Sequence, residues 1–423
     1  MIHPYPQAKL GEAGIADLIL GQSPPSSTYN KEGMGLPFYQ GKADFGSIHP
    51  RERIWCSVPE KTAAADDILI SVRAPVGDVN MATADCAIGR GVVALRADAQ
   101  CHNWFLFYAM RHIKGDLERK ATGSTFASIN KDTLSETEIP FPNLSIQRGI
   151  ALALRFIDGK IIGESSVEQA ARKVKRDAMA ILFSRGLRGE RQKETEIGPT
   201  PESWELTTFR QIREWLQYGT SCHCTKDSSL RYPVLRIPNI EQGKIDDDDL
   251  KYCDMPENEA QRYLLASGDL IFVRTNGVKE RLGNCAVYDG QPNTVLFASY
   301  LIRARLAENI IPRFVACFYG SPTGATLVAD RATPAADGKY NLNTAIIDSL
   351  PIPIPGSREE QKEIVSVLDA IDRKIDLHRR KRAVLEELFK AMLHKLMTGQ
   401  IRSADLDLSA LDGLETGTRT FMG

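Results

Sequence analysis

Cysteine is scarce: 8 of 423 residues, too few for a disulfide scaffold, so they read as thiols in a reducing compartment. Long hydrophobic runs are missing. The longest is the stretch from Trp104 to Met110, whereas a bilayer crossing takes about 20 apolar residues. The opening residues from Met1 to Leu10 lack the apolar core of a signal peptide, so the chain is expected in the cytoplasm, without a membrane partner. An excess of one charge is missing as well. With 53 basic and 54 acidic residues the net charge is −1, and no global field draws the protein to nucleic acid or to an anionic membrane.

Recognisable catalytic groupings are also absent. No Gly-Lys pair is followed by Ser or Thr, which excludes the P-loop route to ATP hydrolysis. The Asn-Pro-Pro-Tyr or Asp-Pro-Pro-Tyr signature of amino-methyltransferases is missing, and Ser23-Pro24-Pro25 reads as a turn. Glu118-Arg119-Lys120 and Glu360-Gln361-Lys362 fit the Glu-x-Lys part of some nucleases, but so short a pattern of common residues recurs by chance. Cys222-His223-Cys224 is the one metal-like cluster, and it lacks a second pair at metal-ligand spacing, so no metal is expected. The 7 histidines are scattered. Binding is favoured over chemistry.

What the sequence does contain is an ordinary globular composition, 43% hydrophobic and 25% charged, in a length that suits two or three domains. It also contains itself twice. Gln147, Ile150, Leu154, Ile157, Asp158, Lys160 and Ile161 recur as Gln361, Ile364, Leu368, Ile371, Asp372, Lys374 and Ile375, each 214 positions later. Upstream, Asn130 and the Ile139-Pro140-Phe141-Pro142 segment correspond to Asn343 and Ile352-Pro353-Ile354-Pro355. Further upstream, the stretch from Asp67 to Arg73 parallels that from Asp269 to Arg274, Cys56 parallels Cys253, and Cys86 parallels Cys285. The order is kept while the offset drifts between 197 and 214, as insertions in loops on one scaffold would produce.

Within each copy, short β-branched strands separated by Gly, Pro and Asn turns give way, after the Pro-rich segment, to a helical period. Steps of four and three from Ile364 reach Leu368, Ile371, Ile375, His378, Arg382, Leu385, Phe389, Met392 and Leu396, a coiled-coil-like stripe. The same walk from Ile150 to Leu182 meets Glu164, Glu168 and Lys175, with Gly163 as a candidate kink. The expected fold class is α+β: two tandem mixed α/β domains separated by two long coiled-coil helices that bury their stripes on each other. The expected bounds are 1–145, helix 146–190, 191–356, helix 357–402, and a loose acidic tail over 403–423. Basic clusters at Arg172, Lys173, Lys175 and Arg176, and from Arg373 to Arg382, lie on the helices and face either phosphates or acidic partner surfaces.

The duplicated order of the Asp67–Arg73 and Asp269–Arg274 segments, the Ile-Pro-x-Pro segments and the Gln-x-x-Ile helix starts resembles the specificity subunit of type I restriction-modification enzymes, over residues 1 to about 402. The resemblance implies a non-catalytic reader of double-stranded DNA made of two target recognition domains, each reading one half of a bipartite site, with the two long helices antiparallel and the domains related by a pseudo-twofold axis. Partners are implied: two modification (methyltransferase) subunits, and restriction subunits that translocate and cut. S-adenosylmethionine, ATP and Mg would be bound by those partners, with no cofactor on this chain. The alternatives are a stand-alone DNA methyltransferase or nuclease with unrecognised motifs, and a DNA-independent coiled-coil scaffold.

Base and phosphate contacts call for Arg, Lys, Asn, Gln or hydroxyl groups on loops aimed by a rigid edge. The candidates are Arg73 in the first copy, and Arg274, Asn276, Lys279 and Arg281 in the second. Thr125 and Lys339 stand in glycine-containing loops before the Ile-Pro segments. Tyr29, Lys31, Lys42, His223 and Lys226 are secondary candidates. Helices whose apolar positions span roughly 50 Å, at about 1.5 Å per residue, act as a ruler between the half-sites. Inserting one heptad after Ser165 is therefore expected to lengthen the unread gap with both half-sites unchanged. A methylation-site map with an unchanged gap contradicts this.

Overall fold

The structure is a computed structural model that describes residues 5–121, 128–241 and 243–408. The chain folds as two compact units. One comprises Met1–Ser166 with His378–Gly423, the other Val167–Leu377. Each takes in part of both long helices, Leu144–Arg185 and Arg358–Met397.

The first unit is built on a four-stranded antiparallel sheet in the spatial order Ala16–Leu20, Val92–Ala97, Ile68–Ser71, Val79–Met81. The second unit repeats that order with Arg213–Tyr218, Leu301–Leu306, Leu270–Val273 and Cys285–Val287. The central strands are buried on both faces, which is why Ile68–Ser71 and Leu270–Val273 read as continuous apolar runs instead of alternating. Beside this sheet, each unit has a second one that includes a parallel pair, Phe38 with Ala87 in the five-stranded sheet of the first unit and Val234 with Leu296 in the three-stranded sheet of the second. The Ile-Pro segments form short strands, Glu138–Pro140 against Gln7–Lys9 and Pro351–Ile354 against Glu205–Thr208, each in a two-stranded ladder where proline leaves no neighbour unserved.

Buried polar residues repeat along with the strands. Asp67 accepts from the backbone N–H of Ala64 at 2.7 Å and from Arg96 at 2.9 and 2.8 Å. Asp269, fully buried, accepts from Ala266 at 2.8 Å and from Arg305 at 2.9 and 2.5 Å. Asn130 and Asn343 cap the same short helix in the two units, each accepting from the backbone N–H three residues on at 2.8 Å. The Gln-x-x-Ile motif acquires a physical meaning. Buried Gln147 accepts the backbone N–H of His102 at 2.8 Å and donates to the carbonyls of Pro142 and Gln100. Buried Gln361 likewise accepts the N–H of Ile311 at 2.9 Å. Each glutamine thus satisfies a free donor at the start of a globule helix, Asn103–His112 or Pro312–Tyr319.

The helix stripe is buried where it is apolar. In the first unit Ile150, Leu154 and Ile157 share one core with Phe389, Leu396 and Met397. In the second, Met179, Leu182 and Phe183 share one with Ile364 and Leu368. The start of one helix therefore packs on the end of the other, the antiparallel arrangement expected. The polar interruptions of the stripe are matched across the helices: Glu164 meets His378 at 2.5 Å, and Lys175 meets Asp372 at 2.6 Å. Lys175 is thereby committed to an ion pair between the helices. Gly163 does not end the first helix, which runs on for 42 residues. Of the expected tail, Ser403–Asp405 form a 3-10 turn, with Leu406 and Leu408 packed on the first core and residues 409–423 outside the described set.

Replacing Gln147 by Leu leaves a buried N–H and two carbonyls without partners. The expected cost is about 1–3 kcal/mol of stability, read as a lowered denaturant midpoint. No shift contradicts the role assigned to the glutamine.

Candidate nucleic-acid interface

In the second unit the strand Leu270–Val273 carries the chain directly into the candidate residues. Arg274 follows it, donating its backbone N–H to Tyr300 at 3.1 Å and accepting from the N–H of Leu342 at 2.7 Å. Thr275 and Asn276 then pair with Asn341 and Tyr340, in a three-stranded ladder completed by Thr333–Pro334. Arg274, Asn276 and the loop carrying Lys339 are thereby brought to one sheet edge, although more than 60 residues separate them in sequence.

The Arg274 guanidinium lies 4.8 Å over the Tyr218 ring and reaches the Ser299 carbonyl at 3.4 Å, while its buried Nε has no acceptor among the described residues. No carboxylate among the described residues pairs with it. The Asn276 side chain accepts the N–H of Val278 at 3.0 Å, which uses its oxygen to hold the turn and leaves the amide nitrogen as the group on offer. Lys279 and Arg281 follow in a 3-10 turn, Lys279 half-buried and Arg281 exposed. Lys339 is exposed and paired with Asp337 at 2.9 Å, which raises the lysine pKa through that hydrogen bond. Tyr300, 58% exposed, and Tyr218 flank Arg274. Sequence reasoning missed both tyrosines, since neither stands in a repeated segment and no spacing marks them.

The first unit places Arg73 at the corresponding position. Arg73 is exposed just past Ile68–Ser71, bridges Ser128, and stands before a turn pinned by Ser71, whose hydroxyl donates to the Pro75 carbonyl at 2.8 Å. Asp78 closes the turn. Burial works against its charge, but hydrogen bonds from Lys114 and Lys42 hold its carboxyl below the usual value. Lys42 is therefore engaged by Asp78 at 2.8 Å. Thr125, with the rest of its loop, lies outside the described residues.

Among the secondary candidates, Lys226 pairs with Asp249 at 3.3 Å and His223 is exposed on the same segment. Of the helix clusters, Arg172 pairs with Glu168 and Arg382 with Glu386, both along their own helix, while Lys173, Arg373, Lys374, Arg379, Arg380 and Lys381 are exposed or nearly so. No helix among the described residues is long and apolar enough to cross a membrane.

Comparison with known proteins gives one answer. The putative type I restriction enzyme MjaX specificity subunit of Methanocaldococcus jannaschii is 41% identical over 181 residues, 43% of this chain and 43% of that protein. This chain thus spans less than half the length of that relative. The type I restriction enzyme EcoKI specificity subunit of Escherichia coli is 23% identical over 327 residues, covering 75% of this chain and 69% of that protein. Among solved structures, the type I restriction-modification system S subunit from M. genitalium shares the fold, with a TM-score of 0.60 at 16% identity over 94% of this chain and 96% of that one. The family model for the type I restriction modification DNA specificity domain matches twice, at residues 14–168 and 202–387. Because those two matches cover each copy of the internal repeat in turn, the chain belongs to the family of type I restriction-modification DNA specificity proteins.

Proposed function

We propose that this chain is the DNA-reading, non-catalytic subunit of a type I restriction-modification complex, each unit reading one half of a bipartite target. One observation carries the reading. In both copies the same buried strand ends in an arginine at a sheet edge, Arg73 or Arg274, beside the loop that precedes the Ile-Pro strand. A rigid strand that delivers a guanidinium and an amide to one edge suits readout in the major groove, where Arg pairs with guanine and Asn with adenine. Tyr218 orients the Arg274 guanidinium without neutralising it, so the charge remains for a base or a phosphate.

Methylation of the site and ATP-driven cleavage would belong to the modification and restriction subunits, with S-adenosylmethionine, ATP and Mg bound there. The exposed lysines and arginines of the long helices would face those subunits or the backbone of the unread gap. With a net charge of −1, contact with the polyanion depends on such local patches.

Arg274→Ala and Asn276→Ala are each expected to relax discrimination at one position of a single half-site, by about 1–3 kcal/mol, and Arg73→Ala at the other half-site. Competition binding of the complex with oligonucleotides altered in one half at a time checks this. Uniform weakening across all sequences would instead make these residues phosphate contacts, and unchanged binding would remove them from the interface.

A further inference from the structure

The second unit gathers three of its cysteines around one position. Cys253 is fully buried and ends the strand Lys251–Cys253. On one side that strand pairs with Tyr232–Leu235, placing Tyr232 opposite Cys253. On the other side it meets the segment after Thr220, where Thr225 and Tyr252 exchange both backbone hydrogen bonds, at 2.9 and 2.8 Å. In an antiparallel pair, the position next to such a hydrogen-bonded pair is a non-hydrogen-bonded one with Cα atoms about 4.5 Å apart. A disulfide accepts Cα separations of about 4.4–6.8 Å. The residues at that position are Cys224 and Cys253.

Side-chain packing agrees with the register. Cys222 and Cys224 both pack against the small core formed by Cys253, Tyr232, Val234, Ala260 and Leu296. The thiol of Cys224 donates to the Cys222 carbonyl at 3.2 Å, and that of Cys222 points to the Asp254 carbonyl at 3.7 Å. All three are free thiols. The first unit supplies an internal measure. There Cys56, which stands where Cys253 does, pairs with Tyr29, and the hydroxyl of the preceding Thr28 lies 3.4 Å from its sulfur, so the scaffold brings the neighbouring segment into side-chain contact at this place. In the second unit the facing side chain is a thiol.

We propose that Cys224 and Cys253 form a reversible dithiol site, converted to a cystine by a small-molecule disulfide such as glutathione disulfide. Burial raises both thiols, that of Cys224 and that of Cys253, the latter to about 12 with contact from Cys222 next in weight. The order of events follows from access, because Cys224 is half-buried and reachable from solvent whereas Cys253 is fully buried. Cys224 gives up its proton and attacks one sulfur of the oxidant, whose S–S bond breaks and releases one thiol. Cys253 then loses its proton and attacks the Cys224 sulfur of the mixed disulfide, expelling the second thiol. Two cysteine thiols are oxidised and the oxidant disulfide is reduced to two thiols. Cys222 lies diagonal to Cys253 by the same register and is a neighbour of the pair, not a member. The bond would tie the segment bearing His223 and Lys226 to the strand edge. This site is independent of what the chain binds.

The test uses the full chain, incubated for hours with glutathione disulfide, alkylated, digested without reduction and mapped by mass spectrometry. The expected result is a peptide pair joined through Cys224 and Cys253, reversed by dithiothreitol, lost in Cys224→Ser and retained in Cys222→Ser. Because serine is close to cysteine in size and position 224 is only half-buried, that variant keeps the packing. A glutathione adduct with no cross-link, a cross-link that survives Cys224→Ser, or no modification of the folded chain would each overturn the proposal.

Discussion

The structure depends on one buried side chain used twice. Gln147 and Gln361, at the start of the long helices, reach back and close the hydrogen bonding at the first turn of a globule helix. A neutral amide suits this role because it donates and accepts at once, and because its burial carries no charge to desolvate. Through it the helix start is hydrogen-bonded to the globule in each unit. A loop delivered by the globule's sheet is thereby held at a defined place relative to the helix, which is what reading a short DNA word demands.

Around that junction the repeated polar residues have structural work and the variable ones are left free. Asp67 and Asp269 are held by an arginine from the neighbouring strand and by a backbone N–H, and Asn130 and Asn343 cap helices. Arg73 and Arg274, though they occupy equivalent places, stand in different surroundings among the described residues, a turn closed by Asp78 in one unit and a tyrosine-flanked ladder in the other. One scaffold with two unlike edges suits a target made of two unlike halves.

Much of this was legible in the sequence because duplication makes structural residues visible against their own copy. The buried strands, the Ile-Pro strands and the two helices all lie in segments that match themselves, and their apolar periods set the faces they bury. The polar interruptions of the helix stripe were harder to interpret. Glu164 and Lys175 look like defects until His378 and Asp372 are seen opposite them, since a pair made across two helices has no signature on either alone. Tyr218 and Tyr300 were illegible for the same reason: their proximity to Arg274 arises from strand pairing between distant segments. The segment after Arg402 has an acidic, small-residue composition, yet Leu406 and Leu408 suffice to dock its first residues on the core.

The most direct measurement of the central claim is a genome-wide map of methylated bases in a host that expresses this chain with the modification subunit proposed to accompany it. Two tandem readers on one scaffold predict a target of two different short words separated by a stretch of fixed length in which every base is tolerated. A single uninterrupted word, or one word repeated in both halves, would contradict the account.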